Sequence, residues 1–312
     1  MPESRLRVPP MRVQVLSGSV AERQYAQDVA ASAWTTPAAL ARGLRADHEE
    51  DLVYRGGRLV PKMEYQNIYL GTAAWRGRDA ELIDAAILRA MRERRLNHVL
   101  AQYFPGSRLD CAPRDSLLVE HSPKHSVSEA DVQAAVTALY DQKLIRRSGL
   151  DACVFNLMLA PGMTLKLGRS SSTAGLGGFH GSVHVQRGGK RVTLYYSANV
   201  YSDKLPDGRD NGIIAFDQPW KNVVATLYHE LNEFRTDPDV ADAIGNENEA
   251  HLGWTSDSGA EIGDQPIFAA GDLGDLRSVF KEVLAGGKRT PVQLMYSNAV
   301  HGAEGPIAMP RP

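Results

Sequence analysis

Residues 228–238 read Tyr228-His229-Glu230-Leu231-Asn232-Glu233-Phe234-Arg235-Thr236-Asp237-Pro238, an H-E-x-x-E motif that runs into an acid-rich segment. Residues four apart on a helix share a face, so His229 and Glu233 can address one ion while Glu230, one step round, reaches a water beside it. This is the spacing of H-E-x-x-H metalloproteases with the second histidine replaced by glutamate. At 100° per residue, Asn222, Thr226, His229, Glu230 and Glu233 fall on one side and Val223, Val224, Leu227, Leu231 and Phe234 on the other. The pattern predicts a helix over roughly 218 to 235 with one side on a core and the other on a site. Asp217 with Pro219 marks its start and Asp237-Pro238 its stop, because the residue before proline is pushed out of helical geometry. The bland counterpart is an amphipathic surface helix whose solvated face carries His and Glu.

Downstream, Asp237, Asp239, Asp242, Glu247, Glu249, Asp257, Glu261 and Asp264 occur between 237 and 264 with no Lys or Arg. A cation would neutralise such a segment. The expected third ligand is Glu261, with Asp264 behind it as a partner that holds His229 or the loop in place. Asp239, ten residues after His229, competes for the role, and Asp237, Asp264 and His180 are further alternates. A solvated acidic loop or a calcium site accounts for the same residues without catalysis.

The chain resembles the phosphate-induced, exordium-like proteins of plants and their bacterial and fungal relatives. The resemblance rests on His229-Glu230-Leu231 through Glu233, Thr236-Asp237-Pro238, Gly253-Trp254 and Glu261-Ile262-Gly263-Asp264, and on Gly178-Phe179-His180-Gly181-Ser182, Leu194-Tyr195-Tyr196 and Met295-Tyr296-Ser297-Asn298. It covers roughly residues 150 to 300 and implies a zincin-like domain in a family whose biochemical activity is poorly defined. Members are commonly exported and carry cysteines near these motifs, whereas here Gly178 precedes Phe179 and Gln265-Pro266 follows Asp264.

Composition fits an ordinary water-soluble enzyme: 312 residues, 43% hydrophobic, formal charge −2. The near-neutral balance gives no electrostatic footprint for nucleic acid, and no apolar run is long enough to span a bilayer. Met1 to Leu16 is broken by prolines and arginines and lacks the continuous apolar stretch of a secretory signal. The expected compartment is therefore the cytoplasm, with export left open by an upstream start. Cys111 and Cys153 make no disulfide framework and are expected to be buried, small and apolar.

The remaining pattern predicts an α+β fold, zincin-like, with helices on a twisted mixed sheet, an edge hairpin and the motif helix. Residues 1–60 read as an extension packed on the domain, with helices at Ala21 to Ala31 and Pro37 to Leu44 and a turn at Arg55-Gly56-Gly57. Residues 61–312 form the catalytic domain, including an acidic metal-site loop over 236–265. Strands are expected at Tyr65 to Leu70, Ser116 to Glu120 and Cys153 to Ala160, and helices at Asp79 to Tyr103 and Glu129 to Leu144, the latter capped by Ser128. A hairpin joins Gly181–Gln186 to Arg191–Ser197 across Gly188-Gly189. His180 and His184 lie about 13 Å apart along a strand and cannot share an ion. His180, beside several glycines, is the one that matters if either does. Tyr196 and Tyr296 are candidate oxyanion donors.

These residues point to a zinc-dependent peptidase or related hydrolase: His229, Glu233 and Glu261 on the metal, Glu230 as general base, a peptide or protein as substrate. Two carboxylates and one imidazole make a hard, anionic set that admits Mn2+ or Ca2+ in place of Zn2+. The alternative is a non-catalytic, metal-stabilised module that binds a peptide or glycan. A degenerate zincin that binds no metal is the third reading. Oligomeric state is not legible in the sequence.

Overall fold

Along Lys62–Leu70 the side chains Tyr65, Asn67 and Tyr69 alternate with Gln66, Ile68 and Leu70, and nearly all are buried, as expected of a strand covered on both faces. It is the first strand, β1, of a six-stranded mixed sheet in a computed structural model that describes residues 39–75, 77–120 and 125–305. After β1 come helices α1 (Asp79–Arg92) and α2 (Arg94–Ala101), then β2 (Asp110–Pro113), β3 (Leu117–Val119) and α3 (Glu129–Asp141). There follow β4 (Cys153–Met158), the long hairpin β5 (Gly178–Arg187) and β6 (Lys190–Asn199), and α4 (Pro219–Thr236), which carries the motif. Short helices α5 (Val240–Gly245) and α6 (Asp264–Asp272) precede a second hairpin, β7 (Phe280–Ala285) and β8 (Lys288–Gln293).

β2 and β3 pair in parallel with successive parts of β1, β1 pairs in parallel with β4, β4 with β6, and β5 closes the sheet antiparallel at its edge. The β5–β6 turn is Gly188-Gly189, both at positive φ (57° and 75°), the geometry that lets a two-residue loop follow the twist of its strands. One face of the sheet packs Tyr65, Tyr69, Val154, Met158 and Tyr195 against Ile83 and Ile87 of α1 and Val223, Leu227, Leu231 and Phe234 of α4. The other packs Ile68, Phe155, Leu157, Leu194 and Tyr196 against Val132, Val136 and Leu139 of α3. Each such side chain contributes roughly 1.5–3 kcal/mol on burial. The α+β class with helices on a mixed sheet is thus observed.

α4 runs within one residue of its expected bounds, with Pro219 in its first turn. Asp217 pairs with Lys221 instead of capping it. Every residue from Asn222 to Thr236 is buried, including the polar side, because β7–β8 and the segment before α6 cover what a surface helix would expose to water.

The structure corrects several expectations. The helix foreseen over Asp79 to Tyr103 is two helices, broken at Glu93, whose extended backbone (φ −71°, ψ 116°) ends α1 while its carboxylate accepts from the Arg95 N–H to cap α2. The Pro37 to Leu44 helix is absent in its described part: Leu40 bridges to Glu304 and Arg42-Gly43 turns. The helix placed at Ala21 to Ala31 lies outside the described residues. Residues 39–60 belong to the same compact unit as the sheet, with Leu52 and Val60 buried and Val53–Tyr54 paired to Trp254–Thr255. Cys111 and Cys153 are buried free thiols, as expected. Among the described residues no helix is long and apolar enough to cross a membrane.

Ser128 caps α3 through a complete capping box: its hydroxyl accepts from the Asp131 N–H, and Asp131 accepts from the Ser128 N–H. Ser128→Ala should therefore lower the free energy of unfolding by about 1 kcal/mol in chemical denaturation, and an unchanged midpoint would refute the cap.

Candidate functional site

The polar side of α4 meets three other pieces of chain: β5 through His180, the 261–264 segment through Glu261, Gly263 and Asp264, and β8 through Gln293. His229 Nε2 lies 2.9 Å from Glu233 Oε1 and 3.8 Å from Asp264 Oδ1. His180 Nδ1 lies 3.5 Å from Glu230 Oε2 and 3.6 Å from Glu233 Oε2, and its Nε2 lies 3.6 Å from Glu261 Oε1. The atoms fall into two groups that could each hold a cation, His229–Glu233–Asp264 and His180–Glu233–Glu261, with Glu233 common to both.

Close approach is built into the backbone. A Cβ on Gly263 would stand 2.4 Å from His229 Nδ1, and one on Gly178 would stand 2.9 Å from Glu230 Oε1 and 2.8 Å from the Ala198 carbonyl. Any side chain at either position would push α4 away from the sheet or the loop. The register does the rest. Asn67, Asn156, Ser197 and His180 are successive cross-strand partners on the face of α4, and the first three form a buried hydrogen-bonded row, Asn156 Nδ2 to Asn67 Oδ1 (2.9 Å) and Ser197 Oγ to Asn156 Oδ1 (2.8 Å). That row stiffens the sheet up to the strand that carries His180.

The imidazole tautomers follow from their partners. Gln293 Nε2 donates to the Gly263 carbonyl (2.5 Å), which orients Gln293 Oε1 toward His229 Nδ1 at 3.0 Å. An amide oxygen only accepts, so Nδ1 carries the proton and the Nε2 lone pair of neutral His229 faces the carboxylates of Glu233 and Asp264. Likewise the Asp237 carbonyl accepts from His180 Nε2 (3.2 Å), leaving Nδ1 turned to Glu230 and Glu233. A lone pair directed at a carboxylate oxygen 2.9 Å away is repulsive unless a proton or a metal ion stands between them. The donor set suits a metal, and three buried oxygens lack any hydrogen-bond partner: Glu230 Oε2, Glu261 Oε1 and Asp237 Oδ2.

Titration behaviour follows from the same crowding. Burial lowers the pKa of both imidazoles, yet the carboxylates outweigh it and raise both well above the ordinary histidine value: Glu233, Glu230 and Asp264 for His229, Glu261, Glu230 and Glu233 for His180. Burial opposes ionisation of Glu233 too, but the two imidazoles hold it down at about 2. Burial raises Glu230 and drives Glu261 well above the usual carboxylate range. Asp237 and Asp264 are each pushed up to about 6, chiefly by burial. Asp264 keeps 36% of its side chain exposed, against 3% for His180 and 4% for Glu233, so it forms the solvent side of the site.

The expected residues His229, Glu230, Glu233, Glu261 and Asp264 are brought together, as is His180. The pairing differs from expectation: Asp264, not Glu261, completes the group around His229, while Glu261 faces His180. The acidic segment disperses. Asp239 binds Arg58 and the Tyr195 hydroxyl, Asp242 binds His184, and Asp257 binds Arg55, so Asp239 is not a third ligand. Asp237 is a neighbour whose Oδ1 accepts from the Gly253 N–H (2.9 Å) and whose carbonyl fixes His180. Tyr196 bonds Gln133 on the opposite face of the sheet and Tyr296 bonds Asp51, so neither serves an oxyanion here. Gln293 was not foreseen. It is neutral and 64 residues from His229, and no local spacing announces it. No known family, curated protein or solved structure matches the chain.

The raised pKa values make a directional prediction for protein stripped of metal. Asp237 and Asp264 favour the folded state while protonated, and that stability is lost as pH rises from about 4 toward their folded values near 6. The imidazoles favour it while charged, and that contribution is lost at higher pH still, above about 6.5. Chelated protein should therefore melt at a lower temperature at pH 8 than at pH 5.5, and a divalent ion should remove most of the difference. A metal-free Tm that rises over this interval would contradict the packing of these groups.

Proposed function

We propose that the chain is a metal-dependent hydrolase of peptide or related acyl bonds. The observation that carries this is His229 Nε2, turned by Gln293 toward Glu233 and Asp264 beside an unpartnered Glu230 carboxylate oxygen. His229, Glu233 and Asp264 are the groups that would hold the ion. A bound divalent ion polarises a carbonyl and makes water a stronger acid.

Each protein group has a definable task. Gln293 keeps the His229 proton on Nδ1. The Gly263 N–H donates to Glu233 Oε1 (3.2 Å) and the Glu261 N–H to Asp264 Oδ2 (3.2 Å), so both carboxylates are oriented by backbone. Glu230, whose pKa burial raises above the ordinary carboxylate value, is the group suited to take a proton and return it to a leaving amine. Asp264 marks the side from which a substrate enters.

The sheet edge bears on the class of substrate. β5 is the edge strand, antiparallel to β6, and carries His180 toward the motif helix, an arrangement that zincins share and that suits an extended peptide added alongside. Zn2+ is the expected ion, and the carboxylate-rich set also admits Mn2+ or Ca2+. The resemblance to exordium-like proteins supports the same reading of the helix and of the 261–264 segment.

The test pairs metal analysis with turnover. Plasma mass spectrometry should find bound divalent metal that is lost in His229→Ala, and a peptide-library screen should find cleavage that falls by at least about 100-fold in Glu230→Gln with folding and metal content retained. Absence of bound metal after reconstitution, or full activity in Glu230→Gln, would sink the proposal. Metal that raises Tm strongly in a protein with no turnover would establish the binding module instead.

A further inference from the structure

Glu233 belongs to both His groups, and it meets them with different oxygens. Oε1 faces His229 Nε2 and Oε2 faces His180 Nδ1. We propose that the site is dinuclear: one divalent cation among His229, Glu233 Oε1 and Asp264, a second among His180, Glu233 Oε2 and Glu261, with Glu233 as bridging carboxylate. The proposal rests on the metal-dependent reading above and extends it to a second ion, held by His180 and Glu261 together with the shared Glu233.

Three independent observations support it. The first is charge. Glu230, Glu233, Asp237, Glu261 and Asp264 crowd two imidazoles, and among the described residues no lysine or arginine pairs with any of the five. Fully ionised, the five exceed two imidazoliums by three charges, and a single divalent ion replacing the proton of His229 lowers the excess only to two. A second ion in place of the proton on His180 leaves one, which the solvent-facing Asp264 can share with water. Buried charge without a partner is the costlier alternative.

The second is distance. Separations of 3.5 and 3.6 Å between His180 Nδ1 and the Glu230 and Glu233 carboxylates are too long for hydrogen bonds, and ligand atoms of His180, Glu233 and Glu261 all lie within 4.8 Å of one another. The two Nδ1 separations are the spacing of neighbouring ligands around one ion, since donors about 2.0–2.2 Å from a tetrahedral centre stand roughly 3.3–3.6 Å apart. The Asp237 carbonyl holds the His180 proton on Nε2, so Nδ1 is free to bind, as Nε2 is on His229. The third is the pair of orphaned oxygens around His180, Glu230 Oε2 and Glu261 Oε1, both buried and without a partner.

The two positions differ in access. His180 and Glu233 are almost completely enclosed and Glu261 nearly so, whereas Asp264 opens to solvent. The inner ion would therefore have little room for substrate and would organise the outer one, with a separation of about 3.5–4 Å set by the carboxylate bridge.

The experiment is a count and a coupling. Protein stripped by chelation, loaded with Mn2+ or Zn2+ and desalted should retain two ions per chain. His180→Ala should retain one, as should Glu261→Gln, a near-isosteric change included in case the alanine variant fails to fold. His301→Ala should still retain two, because His48, Asp51 and His301 form a separate surface group able to capture an ion adventitiously. Low-temperature electron paramagnetic resonance of the Mn2+ form should show an exchange-coupled pair that becomes an isolated six-line Mn2+ signal in the His180 and Glu261 variants. One ion at saturation, unchanged by His180→Ala but lost in His229→Ala, would overturn the dinuclear site and leave the hydrolase reading intact. Two uncoupled ions, one lost in His301→Ala, would overturn it equally, and no ion at all would remove both readings.

Discussion

Burying ionisable groups on the inner side of a core helix is the constraint on which the rest of this structure depends. α4 is covered on every side, so His229, Glu230 and Glu233 leave water together, and each ionised group removed from water without compensation costs several kcal/mol. Compensation comes from every element that touches the polar side. β8 supplies Gln293, the 261–264 loop supplies two backbone N–H groups and two acids, and β5 supplies a second imidazole. Because these come from widely separated parts of the chain, the site itself couples the hairpins to the sheet.

Tight contact between α4 and its surroundings is a matter of missing atoms as much as of contacts made. Gly263 and Gly178 leave room where a methyl group would strike His229 and Glu230, and the Asn67–Asn156–Ser197 row replaces apolar packing at the one level of the sheet that leads to His180. An apolar residue at Asn156 would strand its neighbours' polar atoms, since Asn156 both donates to Asn67 and accepts from Ser197. The row thus trades hydrophobic burial for a fixed position of the edge strand, a reasonable exchange where His180 on that strand must meet Glu230 and Glu233 of the helix.

Much of this was legible in the sequence where information is local. Helical period placed α4 almost to the residue, an apolar run marked β1 from Tyr65 on, the Gly188-Gly189 turn marked the β5–β6 hairpin, and Ser128 marked the start of α3. The failures have physical causes. Arg92-Glu93-Arg94 contains no helix breaker, and only the capping role of Glu93 separates α1 from α2. The acidic run from 237 to 264 looked like one site because charge was counted along the chain, whereas folding sends Asp239, Asp242 and Asp257 to Arg58, His184 and Arg55. The spacing of His180 from its strand neighbour His184 carries no information about a helix that arrives from about 50 residues further on. Gln293 carries no charge and no motif, and its role appears only when β8 is placed.

The substitution of glutamate for the second histidine in H-E-x-x-E then has a structural reason. A neutral imidazole at 233 would offer one lone pair and could face either His229 or His180. A carboxylate offers an oxygen to each, and the short separation between its two oxygens spans the gap between the two imidazoles. It also accepts the Gly263 N–H on the oxygen that meets His229, which fixes the rotation of the whole group. With histidine at this position a single lone pair could not serve the Gly263 N–H and both imidazoles, and His180 would lose one of its three carboxylate neighbours. The choice of residue at 233, the glycine at 263 and the histidine on the edge strand are therefore one decision, made by the geometry of a carboxylate between two rings.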